Sequence, residues 1–115
     1  MTGVQTCALP ISLYWIGDSV WCEEVKIALD KFQPDVIVTH SGGAELKDSG
    51  PIIMDAPQTI TVCEAAPATV VIATHMEALD HCKTSRQALQ LAAERSGIDL
   101  YRLLIPEDGE QIEIN

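Results

Sequence analysis

The chain has 115 residues, 47% of them hydrophobic and 21% charged, which allows at most one domain with an ordinary globular core. A net charge of −10, with seven scattered basic residues, argues against nucleic acid as a default partner, because phosphate binding needs clustered Lys and Arg. No apolar run approaches the roughly 20 residues of a membrane helix. Four cysteines without close spacing read as free thiols in a reducing compartment, hence an expected cytoplasmic location.

The first stretch, "MTGVQTCALPI" (Met1 to Ile11), matches the translation of a sequencing-library adapter when GTG initiates as Met, so residues 1–12 are set aside as an adapter-derived artefact. The domain is then expected over 13–115, with its natural N-terminus absent. "LYWIG" is a short apolar run stopped by glycine, a strand signal. "CEEVKIALDKF" places Val25, Ala28, Leu29 and Phe32 at helical spacing, with Glu23 and Glu24 at the positive end and Pro34 as terminator. "DVIVTH" is the next strand, followed by the Gly- and Ser-rich loop "SGGAELKDSGP". Asp55 and Gln58 form a capping-box pattern with Pro57 in the first turn of a second helix. "TVVIAT" is the third strand. Thr84 with Gln87 suggests another capping box, and Leu89, Ala92, Ala93 and Ser96 face one way until Gly97. "LYRLLI" and "QIEI" bracket a Pro-Glu-Asp-Gly turn and read as a terminal strand pair. The order β-α-β-α-β-α-β-β predicts a layered α/β sheet.

One construction recurs. Asp18 follows the first strand, His40 the second and His75 the third. Runs such as "DVIV" and "TVVIA" suggest strands covered on both faces; if they are parallel, their carboxyl ends share one rim, where open α/β sheets bind ligands. Carboxylate oxygen and imidazole nitrogen suit zinc, manganese or iron. The plain alternatives are a helix cap for Asp18 and a solvated or internally bonded imidazole for each histidine.

"LYWIGDSVWCEEV", "PIIMDAPQ" and "VVIATHMEALDHC", in that order, resemble the C-terminal half of a metallo-β-lactamase-fold hydrolase. The similarity is to the branch holding ascorbate-lactonase-like and N-acyl-phosphatidylethanolamine phospholipase-like enzymes. The resemblance implies half of an αββα sandwich and a parent enzyme with two divalent metal ions, zinc first, manganese or iron next. Such a parent activates water to cleave an ester, lactone, phosphodiester or similar bond in a small molecule. By the same resemblance Gly17-Asp18-Ser19 supplies the metal-bridging carboxylate and proton acceptor, and His75 the last ligand of the second metal. Asp55 becomes a helix cap near the site. His81, Asp55, His40 and Glu77 are pocket or outer-shell candidates, and Cys82 a structural thiol.

The family's H-x-H-x-D-H motif is missing, since the only histidines are His40, His75 and His81. The chain itself is therefore expected to be inactive. It is also expected to leave one sheet face open, inviting a homo-oligomer or aggregation. The competing class is a small binding or receiver-like α/β module. Against it stand the lack of a glycine-rich phosphate loop and of a paired acidic cluster after the first strand. A non-catalytic interaction protein is the third class.

Overall fold

The computed structural model describes residues 12–46, 50–76, 84–99 and 101–113. Its frame is a four-stranded, all-parallel sheet in the order β1 (Leu13–Gly17), β2 (Val36–His40), β5 (Val70–Thr74), β6 (Leu103–Leu104). Parallel neighbours need long crossovers, and three helices supply them: α1 (Glu23–Phe32), α2 (Ala56–Ala65) and α3 (Arg86–Arg95). A two-residue antiparallel pair, β3 (Glu45–Leu46) with β4 (Gly50–Pro51), sits inside the loop that the sequence left without structure. Pairs this short carry little periodicity.

Register decides which side chains meet. Tyr14, Ile37, Val71 and Leu103 lie abreast across the four strands, as do Trp15, Val38, Ile72 and Leu104. Because side chains alternate between faces, the first row joins Val25 and Leu29 of α1, Ile60, Val62 and Cys63 of α2, and Leu89 and Ala93 of α3 in one apolar cluster. The second row lies outside that cluster. Of this second face, Val36 and Val38 are buried, Val70, Ile72 and Leu104 half-buried, and Leu13 and Trp15 more than half exposed.

The helix ends show how local chemistry sets the frame. Asp55 caps α2, its carboxylate accepting from Gln58 N at 3.0 Å, with Pro57 in the first turn. The capping box is only half made: the Gln58 Oε1 atom accepts from Trp21 N at 3.1 Å, tying α2 to the segment after β1. At α3 the cap is Ser85, accepting from Ala88 N at 3.1 Å, and not Thr84 as expected. Thr84 is buried one position earlier, its amide donating to Gly42 O at 2.8 Å. Helix α1 ends at Phe32, where Gln33 turns left-handed at φ 44° ahead of Pro34. Phe32 is 68% exposed instead of buried, because it sits in the last turn, with Lys31 Nζ 5.3 Å from its ring centre.

The expected terminal strand pair does not form as predicted. Leu103–Leu104 adds to the sheet parallel to β5, while residues 111–113 have no strand partner. The Arg86 guanidinium instead holds the turn that follows, donating from Nε to Pro106 O at 2.8 Å and pairing with Asp108. Arg102 closes the far end of α2 by donating to Cys63 O and Ala66 O, both at 2.8 Å. Cys22 and Cys63 are free thiols, and burial pushes the Cys63 thiol up to about 11. No helix among the described residues is long and apolar enough to cross a membrane.

Gly43 is the tightest backbone position. Its φ of +63° is left-handed, and a Cβ there would run into the Thr84 hydroxyl and lie 3.3 Å from Thr84 Cβ. Gly97 has a similar φ of +72° with open space around it. Conformational strain of about 1–2 kcal/mol applies to both, and overpacking of about 1–3 kcal/mol only to the first. Gly43→Ala is therefore expected to lower unfolding stability by about 2–5 kcal/mol and Gly97→Ala by about 1–2 kcal/mol, as read by urea denaturation of the two variants.

Candidate metal centre at the strand ends

The carboxyl ends of β1, β2 and β5 adjoin because the three strands run parallel in matched register, His40 lying opposite Thr74. Each strand delivers its side chain to the rim by a different local device. In β1 the register slips between Trp15 and Gly17, so one extra residue is accommodated and Gly17 pairs with Thr39. Gly17 takes φ +75°, the chain reverses with Ser19 N bonded to Gly17 O at 2.9 Å, and Asp18 emerges at the bend. A bulge re-aims a side chain at a sheet edge.

His40 is set by its neighbours. Thr39 and Ser41 point to the helix side and are fully buried, which sends the intervening His40 to the other face. Their hydroxyls form a chain with one direction. Thr59 Oγ1 donates to Asp55 O at 2.9 Å, so it accepts from Ser41 Oγ at 2.7 Å, which in turn accepts from Thr39 Oγ1 at 2.6 Å. This buried run locks the end of β2 to the start of α2. Every member is satisfied, so the polar atoms do not cost an unpaired group. Backbone bonds complete the hold: Ser41 N to Thr74 O at 2.9 Å and Met54 N to His40 O at 3.2 Å.

His75 follows β5 directly and has φ +62°, a left-handed conformation unusual for a side chain with a Cβ. Such strain costs of order 1–3 kcal/mol and gathers at functional sites. It turns the imidazole back over the rim, where it stacks on His40 with ring centres 4.7 Å apart and planes 10° from parallel.

Asp18, His40 and His75 thus converge, with one donor atom from each lying within 4.8 Å of the others. His40 Nδ1 is 2.5 Å from Asp18 Oδ1. The hydrogen bond from His40 outweighs the opposing effect of burial and, with a lesser contribution from the His40 and His75 imidazoles, holds the Asp18 carboxyl below the usual carboxylate range. Asp18 is accordingly ionised throughout the neutral range. Trp15 Nε1 donates to His40 Nε2 at 3.2 Å, a partner the sequence reading did not single out. The signal was available only through register: Trp15 lies opposite Val38, two residues before His40 and on the same face. Asp55 does not join the trio and serves as the α2 cap. Glu77, His81 and Cys82 lie outside the described residues.

With this geometry in hand, comparison with known proteins is informative. No family model matches the chain. It is 36% identical over 98 residues to UPF0173 protein YddR of Bacillus subtilis, an overlap covering 85% of this chain and 38% of that protein. Among solved structures it resembles an isothiocyanate hydrolase from Delia radicum gut bacteria, at 33% identity and TM-score 0.85, over 90% of this chain and 40% of the other. It also resembles a possible metal-dependent hydrolase from Veillonella parvula, at 32% identity and TM-score 0.79, over 86% of this chain and 38% of the other. The chain therefore spans about two fifths of the length of each of these proteins. The α/β fold class is the expected one, a parallel sheet layered with helices, and both solved neighbours that share it are named as hydrolases.

The backbone at position 75 separates strain from side-chain chemistry. Both His75→Gly and His75→Ala remove the imidazole, but only glycine adopts positive φ freely. The glycine variant is expected to be more stable than the alanine variant by about 1 kcal/mol, measured as the difference in their thermal or urea midpoints. Equal stabilities would contradict the strained conformation.

Proposed function

We propose that the chain is part of a metal-dependent hydrolase and contributes one rim of a dinuclear metal site that activates water against a small electrophilic substrate. The observation that carries this reading is the meeting of Asp18, His40 and His75 at the carboxyl edge of a parallel sheet. The donor set fits: zinc, manganese and iron accept carboxylate oxygen and imidazole nitrogen. The three donor atoms lie within 4.8 Å of one another, close enough to be candidates for a shared cation site. Zinc is the first candidate.

In this reading Asp18 and His75 would hold the cations. Two divalent ions supply Lewis acidity and a water acidic enough to attack at neutral pH. The Asp18 carboxylate, ionised at neutral pH, takes up the proton released as the water attacks. Its exposure, with 70% of the side chain accessible, leaves it open to solvent and substrate. The substrate class follows from the chemistry: an ester, lactone, phosphodiester or comparable electrophilic centre. The solved neighbour that hydrolyses isothiocyanates adds a heterocumulene carbon to that range.

The described residues offer one three-donor group for a metal, and the family's H-x-H-x-D-H motif is missing from the sequence. The chain alone is then inactive, its remaining ligands belonging to sequence upstream of Ser12. A binding or receiver-like module would account for Asp18 alone, but the two imidazoles brought against it favour the hydrolase. Purified chain with added zinc or manganese is expected to show no ester, lactone or phosphodiester hydrolysis above buffer; any turnover abolished by Asp18→Ala would overturn the inactivity. Recovery of the upstream coding sequence tests the hydrolase itself, which requires an H-x-H-x-D-H run there.

The second sheet face supports a further part of the reading. Leu13 and Trp15 leave an exposed apolar edge on the second sheet face, beside the buried Val36 and Val38, and exposed apolar surface of this kind favours association. Sedimentation velocity is expected to show dimers or larger species of the isolated chain at micromolar concentration. A single monomeric boundary together with a cooperative melt would refute it.

A further inference from the structure

The three rim side chains are not chemically equivalent. An indole N–H donates and cannot accept, so the 3.2 Å contact from Trp15 makes His40 Nε2 the acceptor and occupies its lone pair. A neutral imidazole with Nε2 unprotonated carries its proton on Nδ1. That nitrogen lies 2.5 Å from Asp18 Oδ1 and donates to it. Both nitrogens of His40 are thus committed, and the ring cannot turn a lone pair to a cation without giving up Trp15.

We propose that His40 is a positioning residue and not a metal ligand: clamped by Trp15 at Nε2, it donates Nδ1–H to Asp18 and leaves coordination to the Asp18 carboxylate and His75. The inference rests on the metal reading of the same rim. It inverts the common arrangement in which a carboxylate orients a ligating histidine; here an imidazole orients the ligating carboxylate. The physical need is plain. Asp18 is exposed and would otherwise sample several rotamers, whereas a charge-assisted hydrogen bond of this kind selects one. Stacking of the His40 ring on His75 extends the same restraint to the second ligand.

The test is a long-range proton–nitrogen correlation spectrum of the 15N-labelled chain, with zinc as the probe. Without metal, at a pH where the imidazoles are neutral, His40 is expected as the Nδ1–H form; the Nε2–H form would overturn the proposal. With zinc in excess, a His75 ring nitrogen is expected to shift while His40 Nε2 stays put. A coordination shift at His40 Nε2 would overturn the proposal and leave the metal reading standing. No response at any histidine would instead overturn the assignment of coordination to His75, whereas the metal reading itself is tested by the H-x-H-x-D-H run. Rescue separates the roles further. Asparagine keeps an N–H donor near the Nδ1 position, so His40→Asn should bind zinc within a few-fold of the unaltered chain. His40→Ala should weaken zinc about tenfold or more, the usual effect of losing an outer-shell partner. Equal losses in both variants would overturn the positioning role.

Discussion

Parallel pairing of β1, β2 and β5 is the constraint on which the site depends. Parallel strands in matched register end together, so residues 18, 40 and 75, far apart in sequence, are delivered to one edge. An antiparallel arrangement of the same strands would send at least one of them to the opposite end of the sheet. The helix cluster stabilises that pairing from one side, while Val36 and Val38 are buried on the other. Ile37, Val71 and Leu103 bury their side chains against α1, α2 and α3, and each such burial contributes about 1.5–3 kcal/mol before conformational entropy is counted.

The rim is built from rigid parts under tension. Left-handed backbone occurs where a strand must turn sharply at its end: Gly17 after β1, Gly43 in the loop after β2, His75 after β5. Glycine meets the first two demands without strain. At position 75 the backbone demand falls on a member of the candidate site. Packing around it, including the stack on His40 and the buried hydroxyl chain beneath β2, over-determines a conformation that the residue alone would not choose. Strain held at one functional residue and relieved at its neighbours is the expected pattern when chemistry and local stability conflict.

Much of this was legible in the sequence, and the boundary of legibility has physical causes. Strands 13–17, 36–40 and 70–74 announced themselves as short apolar runs with clear stops, and Asp55 with Pro57 marked a helix start. Local signals failed where two candidates compete within one residue: Ser85 and not Thr84 caps α3, because Thr84 is taken into the packing against Gly43. Periodicity failed at Phe32, since the pattern counts turns and does not know where the sheet beneath ends. It failed also over 111–113, where alternation had no neighbouring strand to pair with. At the rim, the residues Asp18, His40 and His75 were visible as types after strands. Their joining through Trp15 was not, because it depends on cross-strand register that a single sequence does not display.

The candidate site and the second sheet face are also one problem rather than two. Val36, Val38 and His40 alternate onto the same face of β2, and Trp15 reaches His40 across that face from β1. Whatever covers Leu13, Trp15 and Ile72 therefore also roofs the imidazole side of the rim. Covering this surface removes water from the apolar strands and, by the same step, lowers the dielectric around Asp18, where charge interactions become stronger. The apolar drive to bury that face and the electrostatic demands of a cation site thus act through a single contact surface. The completeness of the fold and the competence of the site are linked at the level of individual side chains.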